Sequence, residues 1–140
     1  MKVINVLVVL CAVVFASVSF AGQTQPAPVD VDLDNRTASG DMLTARFDDD
    51  DDVYIGCGIR KFDLGGVGSE FQFGFCQAED SEGEVAFCTT ESVHLLDAMT
   101  ATSDYSYVTF SWDEDGVCTR IGFSTQSFYL PSKKTKKKKK

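Results

Sequence analysis

Four cysteines, Cys57, Cys76, Cys88 and Cys118, restrict the fold of this chain more than any other feature of its sequence. Whichever way they pair, the segments that carry them must approach one another closely in the folded protein. Their spacing contains no close Cys-x2-Cys pair, which argues against a structural zinc site. Four cysteines allow three pairings, and the spacing alone does not choose among them.

An apolar segment at the start of the chain predicts that these cysteines are oxidised. A single lysine precedes a nearly continuous apolar run to Phe20, and Ser19 and Ala21 are small residues at the positions preferred before a cleavage point. We therefore expect residues 1–21 to be a signal peptide rather than an uncleaved anchor, and the mature chain to be secreted or periplasmic, with no transmembrane segment. Cleavage removes Cys11, and the even number of cysteines that remain predicts two disulfides.

The remaining chain divides into three parts by composition. Residues 22–40 contain two prolines and many small polar residues, and we interpret them as a flexible acidic linker. Residues 41–131 are expected to form a single disulfide-stabilised, β-rich domain. Residues 132–140 are expected to be a disordered tail, which contains Lys133, Lys134, Lys136, Lys137, Lys138, Lys139 and Lys140.

Charge is distributed very unevenly between these parts. Seven of the 13 basic residues lie in the tail, so residues 22–132 hold five basic side chains against all 21 carboxylates, a formal charge of −16. An acidic body of this kind is not expected to bind nucleic acid in a sequence-specific way. For the tail two interpretations stay open: it binds anionic surfaces such as acidic membranes, or it is a solubilising end.

Alternation of apolar and polar residues predicts about six strands, and an interval of three residues predicts one helix. The alternation occurs near 43–47, 53–60, 71–76, 85–87, 107–112 and 117–123, with the apolar set, including Phe71, Phe73 and Phe75, expected on the core side. Val93, Leu96 and Met99 recur at helical spacing within 91–101. The expected fold is α+β: one mainly antiparallel sheet with one helix packed across it.

A predicted hairpin suggests how the cysteines pair. If the turn at 80–83 is centred on residue 82, Cys76 lies opposite Cys88. We therefore prefer the pairs Cys76–Cys88 and Cys57–Cys118. The second pair requires a β-bulge at one of the two glycines that flank Cys57, because Cys118 lies off the apolar face of its own strand.

Two acidic clusters are the candidate binding residues, and they consist of Asp48, Asp49, Asp50, Asp51 and Asp52, and of Asp113, Glu114 and Asp115. Neighbouring carboxylates repel one another, and a divalent cation such as Ca²⁺ would relieve that repulsion. The alternative is that both clusters are solvated loops. The sequence does not decide whether a metal binds.

The residues expected of an enzyme are scarce. His94 is the single histidine, on the polar face of the predicted helix, and no G-x-S-x-G motif occurs. No unpaired cysteine is left in the mature chain to act as a nucleophile. We therefore predict a protein without catalytic activity. Several aromatic residues are candidates either for the core or for outward stacking on a ligand, namely Tyr54, Tyr105, Tyr107, Phe128 and Tyr129.

The segment Tyr54–Cys57, the spaced Cys76 and Cys88, the helix that follows, and Cys118 before a strand ending near Tyr129 form a combined pattern. This pattern resembles a family of small exported bacterial proteins with two disulfides and no assigned activity. The resemblance spans residues 41–130 and implies export, two disulfides and one compact domain. It implies no functional residue, and the aspartate run and the lysine tail are not part of it.

Together these features predict a secreted or periplasmic binding module that recognises a protein or an envelope glycan, with inhibition of a hydrolase as one form of that function. The acidic clusters are the expected contact with a basic partner. The alternative is a calcium-stabilised protein of the cell envelope, with the aspartates as ligands and the lysine tail directing the protein to anionic surfaces.

Overall fold

The computed structural model describes residues 23–131, which form two antiparallel sheets and two short helices. The signal peptide expected at 1–21 and the lysine tail expected at 132–140 lie outside the described residues. Within 23–131, no helix has the length and the apolar composition that crossing a membrane requires.

The elements are, in chain order, β1 (Asp30–Asp32), β2 (Thr37–Asp41), α1 (Met42–Arg46), β3 (Tyr54–Asp63), β4 (Glu70–Glu79), β5 (Val85–Thr90), α2 (Val93–Met99), β6 (Tyr107–Trp112), β7 (Cys118–Ser124) and a 3-10 turn (Ser127–Tyr129). The first sheet has the strand order β1-β2-β6-β7, and the second has the order β3-β4-β5. The mainly antiparallel α+β fold with two disulfides is therefore confirmed, although the strands form two sheets where one was expected.

Ordered structure begins earlier than predicted. Both β1 and β2 lie mostly within residues 22–40, the stretch interpreted as a linker. The strand expected at 43–47 is instead helix α1, because the Asp41 side chain accepts a hydrogen bond from the Thr44 N–H and so caps a helical turn. The alternation of apolar residues in so short a stretch did not distinguish a strand from one turn of helix.

Two buried carboxylates hold the N-terminal segment in place. Asp41 accepts hydrogen bonds from the Ala27 N–H at 2.6 Å, the Thr44 N–H at 2.7 Å and the Thr44 hydroxyl at 2.6 Å. Asp80, at the turn between β4 and β5, accepts one from the Val31 N–H at 3.1 Å. These side chains provide the polar contacts that a buried backbone N–H requires.

The core lies between the two sheets and beneath α2. Strand β6 contributes the fully buried Val108 and Phe110, and α2 contributes Leu96 and Met99 as predicted. Val93, which the helical spacing also assigned to the core, is exposed.

Strands β4 and β5 of the second sheet present the opposite face to the core from the one that we predicted, whereas β3 buries Ile55 on the face that the alternation assigned to the core. Gly74, Cys76 and Ala78 of β4 are buried, whereas Phe71 and its alternating neighbours Phe73 and Phe75 lie on the outer side. The same inversion occurs in β5, where Ala86 is buried and the larger side chains on either side of it are exposed. Residue size, which the alternation rule ignores, decides which face fits against the helix.

The disulfides join Cys57 to Cys76 and Cys88 to Cys118, so the preferred pairing was wrong. Cys76 does lie opposite Cys88 across β4 and β5, as the turn predicted, but it also lies opposite Cys57 across β3 and β4. A strand residue forms a close, non-hydrogen-bonded pair on one side and a wider pair on the other. The Cα atoms of Cys57 and Cys76 are 4.0 Å apart, so these two residues form the close pair. Cys76 therefore forms its disulfide with Cys57 and not with Cys88.

A β-bulge is present, but it lies in the hairpin of β6 and β7 rather than beside Cys57. The register shifts between Ser111 and Trp112, which lie opposite Arg120 and Cys118, so β7 holds one extra residue there. That residue turns Cys118 toward the core. The disulfide from Cys118 to Cys88 therefore links the two sheets, whereas the other disulfide lies within the second sheet.

Candidate binding surface

Five phenylalanine rings cover the outer side of the second sheet. We call this surface the phenylalanine face, and it consists of Phe62 from β3, Phe71, Phe73 and Phe75 from β4, and Phe87 from β5. The pairing register places the three strands side by side, so that these alternate positions share one side of the sheet.

The rings form a continuous row that is open to solvent. Phe62 is 45% exposed, Phe71 44% and Phe87 57%, while Phe73 and Phe75 are half-buried between their neighbours. Successive ring centroids along the row are 5.9 to 6.4 Å apart, within the range of favourable aromatic pairs. A contiguous exposed apolar surface is unusual in a monomeric protein and is typical of an interaction site.

Glycine and arginine fix the position of the ring in the middle of the row. Phe75 lies over Gly58, where a Cβ atom would come within 2.9 Å of the ring. The guanidinium of Arg60 lies 4.8 Å from the centroid of the same ring, a cation–π contact. The Phe75 ring is therefore packed against both Gly58 and the guanidinium of Arg60.

The far part of the β3–β4 hairpin projects from the body. Every residue from 60 to 68 is exposed, and so are 70–72. The connecting loop adds Leu64 and Val67, both highly exposed, while Gly65 and Gly68 adopt positive φ angles of 83° and 82° that other residues disfavour. This projecting arm extends the apolar surface beyond the core of the protein.

A shallow depression of about 440 Å³ adjoins the row of rings. It is lined by Phe71, Phe73, Thr89, Thr90, Glu91 and Val117. Its threonine and glutamate side chains supply polar groups beside the apolar phenylalanine and valine side chains.

The acidic clusters expected to bind a partner or a cation are arranged as turns. The Asp50 N–H donates to Asp48 Oδ1 at 3.1 Å, and the Asp52 N–H donates to Asp50 Oδ1 at 3.0 Å. In the second cluster, Asp113 Oδ1 accepts from two backbone N–H groups within its own turn, and Glu114 forms an exposed ion pair with Arg36 at 2.9 Å. Within 23–131, the one group of three or more potential metal-ligand atoms close together is made of cysteine sulfurs that are already in disulfides.

The other residues singled out in the sequence lie apart from the phenylalanine face, with one exception. His94 is exposed on α2. Tyr129 is buried and its ring stacks on Tyr107 at 5.6 Å, Phe128 is half-buried beside it, and Tyr105 is exposed elsewhere. Tyr54 shares the outer side of β3 with Phe62 and is the one residue of that set on the same surface.

The sequence contained a signal that would have identified the phenylalanine face. Cysteines in disulfides are among the most buried of residues, and Cys76 and Cys88 alternate with the phenylalanines on their own strands. Placing both sulfurs inside would have placed Phe75 and Phe87 outside. Hydrophobicity alone assigns the rings to the core and so gives the wrong face for both strands.

No family model, curated protein or solved structure matches this chain.

Proposed function

We propose that this protein is an exported, non-catalytic binding module that attaches its phenylalanine face to an apolar surface of a positively charged protein. The observation that carries the proposal is the row of five rings on the outer side of a disulfide-linked sheet, three of them close to half exposed. Leaving such rings in water costs free energy, which a partner would recover on binding.

The rigidity of the surface supports this function. The Cys57–Cys76 disulfide joins the two strands that carry four of the five rings, and the Phe75 ring is fixed by Gly58 and Arg60. A surface that is already ordered loses little conformational entropy when it binds. Phenylalanine side chains have no hydrogen-bonding group, which favours a protein partner over a glycan.

The charge of the body indicates the charge of the partner. The described residues hold five basic side chains against 21 carboxylates, a formal charge of −16. Such a field accelerates encounter with a cationic protein and repels an anionic one. The acidic clusters would then contribute long-range attraction, while the rings provide the contact. A basic secreted hydrolase is one partner with this chemistry.

Export is supported by the disulfides and by the apolar start of the chain. Disulfides persist in oxidising compartments and are rare in the cytosol. The proposal therefore places the partner outside the cytoplasm as well.

The test is a capture experiment with two matched surface variants. The oxidised chain 22–140 is immobilised and exposed to secreted and envelope proteins, and what is retained is identified by mass spectrometry. The first variant, F62S/F87S, removes two exposed rings from the phenylalanine face. The control, F47S, removes an equally hydrophobic ring that is 77% exposed at the C-terminal end of α1, outside the second sheet.

We expect a basic protein to be retained by the unmodified chain and by F47S, and to be lost from F62S/F87S. Equal retention by F62S/F87S would contradict the proposed surface. Retention of no basic protein by the unmodified chain would also contradict the proposal.

A further inference from the structure

The two disulfides lie close to each other inside the protein. The sulfur atoms of Cys76, Cys88 and Cys118 all lie within 4.8 Å of one another, although Cys76 is bonded to Cys57 and the other two are bonded together. The cause is the register: Cys76 lies opposite Cys88 on the neighbouring strand, and the β7 bulge brings Cys118 to the same point.

The four cysteine residues differ in their exposure to solvent. Cys76 and Cys88 have no exposed surface and Cys118 is 3% exposed, so a thiol in solution does not reach them. Cys57 is half-buried on the core-facing side of β3, which is an edge strand of its sheet. Because thiol–disulfide exchange requires direct attack on a sulfur, Cys57 is the point of entry.

We propose that Cys57 is a site of modification by small thiols, and that its modification transfers the second disulfide from Cys88–Cys118 to Cys76–Cys88. In the first step, an external thiolate attacks Cys57 Sγ, forms a mixed disulfide there, and releases Cys76 as a thiolate. In the second step, the Cys76 thiolate attacks Cys88 Sγ, forms the Cys76–Cys88 disulfide, and releases Cys118 as a thiolate. The two steps consume one thiolate and release one. The number of disulfide bonds therefore stays at two, and one of them is now the mixed disulfide at Cys57.

The exchange changes which parts of the protein are linked. Cys88–Cys118 joins the two sheets, whereas Cys76 and Cys88 are opposite residues on adjacent strands of one sheet. After the exchange no disulfide crosses between the sheets. A thiol that reaches only the edge strand β3 would therefore loosen the contact between the sheets. This inference does not depend on the proposed binding function.

The exchange can be observed directly in the oxidised chain 22–140. The protein is treated briefly with reduced glutathione, acidified, alkylated with N-ethylmaleimide, and mapped by non-reducing peptide mass spectrometry. We expect glutathione on Cys57, a peptide pair linked through Cys76 and Cys88, and the alkyl group mainly on Cys118. Alkylation of Cys76 with Cys88–Cys118 intact would overturn the proposal.

Two variants that lose the same disulfide provide the matched comparison. Cys57→Ser leaves Cys76 free next to the second disulfide, and we expect alkylation mainly at Cys118. Cys76→Ser leaves Cys57 free, and we expect alkylation at Cys57 with Cys88–Cys118 retained. Alkylation of Cys118 to the same extent in both variants would show general loosening and would overturn the proposed transfer.

Discussion

Gly74 of β4 lies directly against Met99 of α2, so closely that a Cβ atom on the glycine would come within 2.5 Å of the methionine sulfur. The same Cβ atom would lie 3.0 Å from a methyl carbon of Leu96. The helix therefore packs on the strand through a position without a side chain. This contact requires small residues on the inner face of β4, and the phenylalanines between them consequently face outward.

Substitution of this glycine should weaken the fold measurably. We expect Gly74→Ala to lower the free energy of unfolding by about 1–3 kcal/mol, because Met99 and Leu96 must move away from the added methyl group. Gly56→Ala is the matched control in the same sheet, since a Cβ atom there meets nothing within 4 Å. Urea denaturation of both variants makes the comparison, and equal midpoints would contradict the packing described.

The sequence predicted the positions of the later strands and of α2, because their residues alternate or recur at helical spacing. It did not predict β1, since three residues among prolines and aspartates give no periodic signal. That strand is ordered by contacts with distant residues, such as the hydrogen bond from the Val31 N–H to Asp80. The residue pattern within a short segment does not predict contacts with residues far away in the sequence.

The phenylalanine face was missed for a different physical reason. Hydrophobicity alone predicts that a phenylalanine ring is buried in preference to a glycine. The space next to α2, however, admits Gly74 and excludes Phe73 and Phe75. In β6 the same rule was correct, and Val108 and Phe110 are buried. The difference lies in what each strand packs against, which only the tertiary structure determines.

The inversion of β4 and β5 predicts that their outward-facing phenylalanines and the buried Phe110 of β6 differ strongly in their contribution to stability. Phe110→Ala removes a fully buried ring, and we expect a loss of about 3–5 kcal/mol in the free energy of unfolding. Phe87→Ala removes an exposed ring and should change it by about 0.5 kcal/mol or less. Guanidinium denaturation curves test this directly. A large loss for Phe87→Ala would mean that its ring is part of the core.

The Asp41 carboxylate should be required for order in the N-terminal segment. Asp41→Asn replaces one acceptor oxygen by an N–H₂ group that faces donors from Ala27 or Thr44, and we expect a cost of about 1–3 kcal/mol. Asp97→Asn, at an exposed position on α2, is the control and should be neutral. Limited proteolysis reports the local effect: cleavage near residues 25–28 should become faster in Asp41→Asn alone. Unchanged cleavage would mean that the hydrogen bonds of Asp41 do not hold this segment in place.

Calcium should have little effect on thermal stability. The side chains of Asp48 and Asp50 accept hydrogen bonds within their own turn, and in the described part of the chain no carboxylate oxygens form a compact group of three. Binding to the folded state alone would raise the melting temperature. We expect the melting curves of the oxidised protein to coincide in calcium and in chelator. A clear increase with calcium, abolished by D48N/D50N, would restore the calcium-stabilised alternative.

Tyr129 should make the fold sensitive to alkaline pH. Burial raises the pKa of its phenol above the ordinary value of 10.0, and the nearby Tyr107 and Asp41 raise it further. Below pH 10 the phenol is neutral in both the folded and the unfolded chain, and its contribution to stability is complete. Above pH 10 the unfolded chain loses the proton first, so the free energy of unfolding decreases until the pH passes the folded pKa.

Tyr129→Phe removes this titration while it keeps the ring that stacks on Tyr107. Urea denaturation between pH 8 and pH 11 should therefore show a smaller alkaline decrease in Tyr129→Phe than in the unmodified protein. Tyr105→Phe, at an exposed position, should follow the unmodified protein over the whole range. The same decrease in all three proteins would mean that the alkaline sensitivity arises from other groups and that the neutral phenol of Tyr129 contributes nothing to it.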